Sequence, residues 1–198
     1  TYGVDANIRL LGNLIVNTYL AGSRADTSAA DGTAGRLSVG YRGRLWNTSA
    51  MYKRVSDHFD PGIGFVNRRG FQQMYATTGL HARPKLKGIQ ELNPYIEADL
   101  YTDLDGSAQS HQITAALDVF FQPDGELKLQ VNDWFDRLDR TFTPFPGRSI
   151  PVGRYNFRNA KATYTSTQRY PVYGNAGVQV GDFYNGTNTS CHNVTFAL

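Results

Sequence analysis

Polar and apolar residues alternate along this chain in segments of about ten residues, and turn residues separate the segments. In residues 4–10 every second side chain is apolar, and polar side chains occupy the positions between them. This period of two is typical of a β-strand that has one apolar face. The pattern predicts about eleven strands, most of them about nine to fourteen residues long. The sequence therefore indicates an all-β, antiparallel fold.

Short links and longer polar stretches alternate between the predicted strands. The short links are expected at residues 12–13, 46–47, 84–87, 123–125 and 169–171. The longer stretches are expected at residues 22–33, 57–68, 102–107, 140–153 and 183–189. Small turns at one rim and large loops at the other are typical of an up-and-down transmembrane β-barrel. The strand length agrees, because tilted spanning strands need about nine to eleven residues whereas soluble strands average about five or six.

Composition is compatible with such a barrel and excludes spanning helices. Hydrophobic residues make up 40% of the 198 residues and the mean hydropathy is −0.42, without an apolar run of the length of a membrane helix. Aromatic residues reach 13%, which favours strands and interfacial girdles. Girdle positions near strand ends are expected for Tyr19, Trp46, Phe59, Tyr101, Phe121, Trp134 and Phe135.

The two ends of the sequence look like strands cut within a sheet. We therefore expect residues 1–198 to be part of a single β-barrel domain that is truncated at both ends, with no visible signal peptide. The single cysteine, Cys191, excludes an intrachain disulfide and a cysteine-rich metal site. The net charge of +3 does not indicate a nucleic-acid partner.

Basic residues gather in the first third of the chain. If strands three to five place several of them inside a barrel, one wall of the lumen is positive, and rings of Arg or Lys favour anions in pores. The alternative is pairing with lumen carboxylates, for which Asp5, Glu97 and Asp99 are available. The candidate basic wall consists of Arg36, Arg42, Arg44, Arg54, Arg68 and Arg69, with Lys53 in the same region.

Metal and catalytic chemistry have weak sequence support. The four histidines share no ligand spacing and are His58, His81, His111 and His192. Asp103 and Asp105 in a Thr-Asp-Leu-Asp-Gly stretch fit a calcium loop, but a hairpin loop explains them better. No phosphate loop or nucleophile elbow is present. We expect no enzyme activity, no metal and no cofactor.

A glycosidase would need two carboxylates at a set separation across a cleft. Neighbouring strands would bring several acidic residues near one another, although the alternation turns Asp133 towards the other face. These candidates are Glu97, Asp99, Asp118 and Asp133.

Three segments resemble a known family. Residues Asp60–Phe71 resemble its "N-P-x-x-G-F-V-x-R-x-x-F/Y" segment, Ile150–Phe157 its "I-P-x-G-x-Y-x-F" segment, and Gly181–Gly186 its "G-x-F-Y-x-G" segment. The family is the bacterial outer-membrane family called domain of unknown function 5916. Its members carry a family-9-like carbohydrate-binding domain ahead of a β-barrel. The resemblance implies the later part of such a barrel and implies no catalytic residues.

These patterns together predict a bacterial outer-membrane β-barrel that acts as a channel or envelope scaffold, with outer-membrane lipid as its partner and a link to saccharide binding or uptake. A soluble secreted carbohydrate-binding module and a cell-surface glycan hydrolase are the alternatives. The barrel predicts an uncovered lipid-facing belt, whereas a lectin-like sandwich would bury the same residues between two sheets. The belt residues are Val4, Ile8, Leu37, Val39, Ile96, Leu117, Leu129 and Val178.

Overall fold

The structure is a computed structural model that describes residues 1–24, 31–62, 66, 68–166 and 173–197, with the backbone alone for 192–197. Within these residues no helix has the length and apolar character needed to cross a membrane. The strands are β1 (Tyr2–Leu10), β2 (Leu14–Ser23), β3 (Gly32–Arg42), β4 (Trp46–Val55), β5 (Phe71–Leu80), β6 (Ile89–Thr102), β7 (Ala108–Phe121), β8 (Glu126–Leu138), β9 (Phe142–Phe145), β10 (Arg148–Ile150), β11 (Gly153–Thr165), β12 (Tyr173–Phe183) and β13 (Gly186–Ala197).

Eleven strands form one antiparallel sheet whose order follows the chain, from β1 through β8 and then β11, β12 and β13. Strands β9 and β10 form a separate two-stranded hairpin. The sheet strands run from 9 residues in β1 to 14 in β6 and β7. The predicted all-β, antiparallel, up-and-down fold with eleven strands is therefore confirmed. Closure into a barrel, membrane insertion and truncation of one domain stay predictions.

The expected alternation of short and long connections holds for part of the chain. Residues 11–13, 43–45 and 122–125 connect strands tightly, and longer stretches lie between strands at 24–31, 56–70 and 139–152, the last of which contains β9 and β10. The short link expected at 46–47 is wrong, because Trp46 and Asn47 are the first residues of β4. The expected lengths are reversed at two neighbouring connections. The connection 81–88, where a short link was expected, is longer than the connection 103–107, where a long stretch was expected. One reason is that residues in 81–88 form an isolated bridge, with Ala82 paired to Leu92. The link expected at 169–171 lies outside the described residues.

The long stretch expected at 183–189 is wrong. Only Tyr184 and Asn185 separate β12 from β13, and Tyr184 has a positive φ of 53° that makes the turn tight. The polar residues after the turn belong to the sheet, because Thr187 and Thr189 pair with Asp182 and Val180. Threonine is polar in composition but favours strands, so a polar run was mistaken for a loop.

The chain divides into two compact units, residues 1–77 with 98–110 and residues 78–97 with 111–198. In the first unit, pairing aligns Ile8, Val16, Val39 and Ala50 in one row across β1 to β4. The neighbouring row on the opposite side aligns Asn7, Asn17, Ser38 and Met51. We call these two sides the apolar face and the polar face.

The second unit has the same two-faced construction. Leu129, Ala162, Val178 and Cys191 form one row across β8, β11, β12 and β13. The adjacent row on the other face is formed by Gln130, Lys161, Gln179 and Ser190. The terms apolar face and polar face are used for this unit in the same way.

The apolar faces are largely uncovered in the described part of the chain. Of the eight predicted belt residues, Leu117 is half-buried and the other seven are exposed, from Val39 at 37% to Val4 at 69%. A second sheet packed on this surface would have buried these side chains. Seven of the eight belt residues are therefore uncovered within the described part of the chain and do not form a sandwich core.

The buried apolar residues of the first unit gather at its polar face. Ala34, Val55, Phe59 and Phe71 form a small core, to which the connection 56–70 contributes Phe59. Phe59 thus packs inside and does not occupy the strand-end girdle position expected for it. Trp46 begins β4 and Phe121 ends β7, where girdle residues are expected.

Candidate functional site on the polar face

Two of the predicted basic residues lie on the polar face of the first unit. Arg36 is in register between Tyr19 of β2 and Lys53 of β4, and Arg42 lies further along the same face of β3. Both arginines are exposed, and within the described ranges neither takes part in an ion pair. Their guanidinium groups are therefore available to an anion.

The structure does not bring all six predicted arginines together. Arg54 follows Lys53 in β4, so its side chain lies on the apolar face, opposite Gly35. Arg44 lies in the connection 43–45, at the other end of β4. Only the arginines of the polar face can contribute to a common basic surface there.

Arg68 and Arg69 are engaged locally. The guanidinium carbon of Arg68 lies 5.6 Å from the ring centres of Phe71 and Tyr101, and Lys53 Nζ lies 5.5 Å from the ring centre of Phe71. Arg69 Nη2 lies 3.4 Å from Asp60 Oδ1. Cation–π contacts of this kind hold the end of the connection 56–70 against the small core.

Among the described residues, neither Asp5 nor Asp99 forms an ion pair with Arg36 or Arg42. Asp99 Oδ1 accepts a hydrogen bond of 2.8 Å from Gln73 Nε2. Asp5 lies in the same row as Arg36, but Tyr19 stands between them. Whether the basic residues bind an anion stays a prediction.

A cluster of aromatic side chains lies on the polar face of the second unit. Trp134 of β8 and Phe157 of β11 are opposite one another, and their rings are nearly parallel with centres 6.0 Å apart. Tyr184 in the turn after β12 completes the group, 5.0 Å from Phe157 and 5.3 Å from Tyr155. Phe142 and Phe183 contact the same tyrosine ring. We call these six residues the aromatic cluster.

Two hydrogen bonds fix the tyrosines of the aromatic cluster. The Tyr184 hydroxyl donates to Asp136 Oδ2 at 2.6 Å, and the Tyr155 hydroxyl donates to the Pro151 carbonyl at 2.8 Å. Burial and then the hydrogen bond to the Asp136 carboxylate raise the pKa of Tyr184 well above its usual range. The Tyr184 phenol therefore stays protonated and holds the turn against β8.

Two of the three family-like segments contribute side chains to the aromatic cluster. Ile150–Phe157 supplies Tyr155 and Phe157, and Gly181–Gly186 supplies Phe183 and Tyr184. Gly181 is required because an added Cβ would lie 2.3 Å from the Arg158 carbonyl oxygen. Sequence reasoning did not bring these segments together, although the aromatic residues in both were a signal. Residues 63–65 and 67 of the first segment lie outside the described residues.

Trp134 carries a polar atom without a partner among the described residues. Its indole Nε1 is buried and makes no hydrogen bond there. A buried donor without an acceptor costs about 1–3 kcal/mol, so such an atom calls for an explanation. This Nε1 atom belongs to the same Trp134 ring that stacks on Phe157.

A chain of buried amides runs next to the aromatic cluster. The Thr114 hydroxyl donates to Asn132 Oδ1 at 2.8 Å, and Asn132 Nδ2 donates to Asn159 Oδ1 at 2.9 Å. All three side chains are buried. These hydrogen bonds between buried side chains join β7, β8 and β11.

The acidic residues considered for hydrolysis do not share one face. Asp133 is opposite Arg158, on the apolar face, and it also contacts His111 Nε2 at 3.3 Å. Asp118 lies on the polar face. It is four residues from Thr114 in β7 and therefore on the same side of the strand, and Thr114 hydrogen-bonds to Asn132 on the polar face. Asp133 points away from the polar face, as the alternation indicated.

The Asp103 and Asp105 stretch forms the turn between β6 and β7. Ser107 N–H donates to Asp105 Oδ1 at 2.8 Å, and Gln109 Nε2 donates to Asp103 Oδ1. These bonds are those of a hairpin loop. Within the residues that the structure describes, no group of three or more His, Cys, Asp or Glu side chains is placed to hold a metal ion.

A scan against protein-family models found no match, and searches of curated proteins and of solved structures found no similar protein. The resemblance carried by the three segments therefore stays a prediction.

Proposed function

We propose that this chain is the spanning part of a bacterial outer-membrane β-barrel protein that serves as a channel or envelope scaffold. The observation that carries the proposal is the uncovered apolar face on strands of 9 to 14 residues. Strands of this length match the roughly nine to eleven residues that a tilted strand needs to cross a bilayer.

The extent of the exposed apolar surface favours lipid over water as its surroundings. Soluble monomers rarely expose contiguous apolar patches larger than a few hundred Å². Here exposed apolar side chains recur on both units, for example at Val4, Leu37, Ile96 and Val180. Lipid would cover them without a second sheet.

The polar face would then line the interior. Arg36, Arg42 and Lys53 give the first unit a positive surface there, which would favour anionic solutes if the interior is open. The buried amides around Asn132 would stiffen the wall of the second unit.

Fractionation of the full-length protein tests the proposal, followed by gel electrophoresis of unboiled and boiled samples. We expect extraction from envelopes only with detergent and a mobility shift on boiling. Release into buffer without detergent, with no shift, would refute the membrane proposal. Conductance in planar bilayers would then separate a channel from a scaffold.

Saccharide binding at the aromatic cluster is a second candidate function. Flat aromatic faces are the groups that hold sugar rings, and the aromatic cluster brings six aromatic side chains together. Titration of the full-length protein with maltohexaose and cellohexaose should quench tryptophan fluorescence, and Trp134→Phe should weaken binding about tenfold. Trp46→Phe is the matched control. Equal binding by both variants would count against this function.

A further inference from the structure

A groove crosses the apolar face of the first unit. It forms where Gly22 of β2 and Gly35 of β3 interrupt the rows of apolar side chains. Its volume is about 710 Å³, within the range of about 300–1,000 Å³ typical of small-molecule sites. The walls are apolar or aromatic side chains, namely Tyr2, Leu20, Leu37 and Tyr52.

The two glycines make room for the side chains that form the groove walls. Tyr2 is paired with Gly22, and its ring lies where a Gly22 side chain would be, with Cζ 2.5 Å from an added Cβ. At Gly35 the nearest atom to an added Cβ is Leu20 Cδ2 at 2.8 Å, the free end of a flexible side chain. A larger residue at position 35 would therefore fill the groove without striking backbone.

Arg54 brings a positive charge to the apolar side of the groove. Arg54 is in register with Gly35 and Leu20, lines the groove and is exposed. In the part of the chain that the structure describes it takes part in no ion pair or hydrogen bond. A guanidinium on an apolar surface is costly unless an anion or water accompanies it.

An apolar groove whose lining includes a guanidinium without an ion pair among the described residues is complementary to an anionic lipid. We propose that it binds one phosphate-bearing lipid, with an acyl chain between the side chains of Tyr2, Leu20, Leu37 and Tyr52 and the phosphate against Arg54. The guanidinium group suits phosphate because it offers parallel N–H donors to two oxygens. This inference rests on the proposed function, since lipid reaches the groove only if the sheet spans a bilayer.

The position of Arg54 along its strand fits a headgroup. It is the last residue but one of β4, next to the long connections 24–31 and 56–70. In outer-membrane barrels the longer loops are extracellular, so Arg54 would lie at the level of the outer headgroups while the groove extends towards the bilayer centre.

The test measures lipid retained by the full-length protein in detergent micelles, by native mass spectrometry. The probes are dimyristoyl phosphatidylglycerol and dimyristoylglycerol, which share their acyl chains and differ in the phosphate headgroup. We expect wild type to retain the phosphatidylglycerol and Arg54→Gln to need roughly tenfold more of it. Arg44→Gln, which removes the same charge from an exposed connection, should behave as wild type.

A second variant tests the groove separately from the charge. Gly35→Leu should reduce retention of both probes, because it fills the space for the acyl chain while leaving Arg54 in place. Equal retention by wild type and Arg54→Gln, or equal loss in Arg54→Gln and Arg44→Gln, would overturn the inference.

The mobility shift on boiling, recorded on the same samples, separates the two proposals. A shift in wild type together with unselective lipid retention refutes the lipid site alone. Absence of the shift refutes membrane insertion and the lipid site with it.

Discussion

The Tyr184 hydroxyl donates a 2.6 Å hydrogen bond to Asp136 across 48 residues of sequence. The bond ties the tight turn after β12 to the polar face of β8, two strands away in the sheet. Tyr184 also contacts Phe157, Phe183 and Tyr155, so one side chain connects the turn to the aromatic cluster. Through these contacts Tyr184 fastens the turn to β8 and β11.

Replacing Tyr184 by Phe should lower the free energy of unfolding by about 1 to 2 kcal/mol, because Asp136 loses a donor while the ring packing is kept. The measurement is the urea midpoint of refolded full-length protein, followed by tryptophan fluorescence. Tyr173→Phe is the control, since within the described residues its hydroxyl has no hydrogen bond. Equal midpoints for the two variants would contradict a structural role for the bond.

The raised pKa of Tyr184 predicts a pH dependence above pH of about 10, the usual pKa of a tyrosine. In the unfolded chain the phenol loses its proton there, whereas in the folded protein it keeps it. Since the unfolded state then binds fewer protons, stability falls as pH rises. The urea midpoint of wild type should therefore fall more steeply above about pH 10 than that of Tyr184→Phe, which lacks the phenol. A wild-type curve that matches the variant would exclude the effect.

The period of two was enough to predict the eleven strands of the large sheet and the exposed belt, because the side chains of a strand alternate between its two faces. The pattern could not assign Arg54 to the correct face. Lys53 and Arg54 are adjacent in β4, so their side chains lie on opposite faces and only one of them can belong to the basic wall. Which one belongs to it depends on register, and register is set by pairing with β3 rather than by composition.

The aromatic cluster lay beyond sequence reasoning for a similar reason. Phe157 and Tyr184 are far apart along the chain, and the family-like segments that contain them indicate aromatic residues without saying that these meet. The hairpin of β9 and β10 was likewise hidden in a stretch predicted only as a long loop. Contacts between distant segments need the pairing of β8 with β11, which no local pattern encodes.

Gly32→Ala should destabilise the small core of the first unit by about 1 to 3 kcal/mol. An added Cβ would lie 2.3 Å from Phe59 Cα and 2.4 Å from the His58 carbonyl oxygen, so backbone has to move. Gly40→Ala lies on the same face of β3, where the nearest atom is Ser49 Cβ at 3.6 Å. Urea midpoints should separate the two variants, and an unchanged Gly32→Ala would show that the connection 56–70 does not pack there.

Asn132→Ala should cost about 2 to 4 kcal/mol, because it leaves Thr114 and Asn159 buried without their partner. Asn175→Ala removes an exposed bond to Thr165 and should change stability by less than about 0.5 kcal/mol. The comparison uses the same unfolding assay. If the buried and the exposed asparagine cost the same, the amide chain does not stabilise the sheet.

Consecutive residues of β3 give the sharpest test of which face meets lipid. Leu37 lies on the apolar face and is 49% exposed, and Ser38 lies on the polar face at the same depth. In a bilayer Leu37→Arg should lose about 2 to 4 kcal/mol relative to wild type, because Leu37 is near the middle of its strand, while Ser38→Arg should change stability far less. In a soluble protein an exposed leucine tolerates arginine, and the difference would shrink to about 0.5 kcal/mol. Unfolding in lipid vesicles therefore decides between the two environments, and a larger loss for Ser38→Arg would mean that the polar face is the one turned towards lipid.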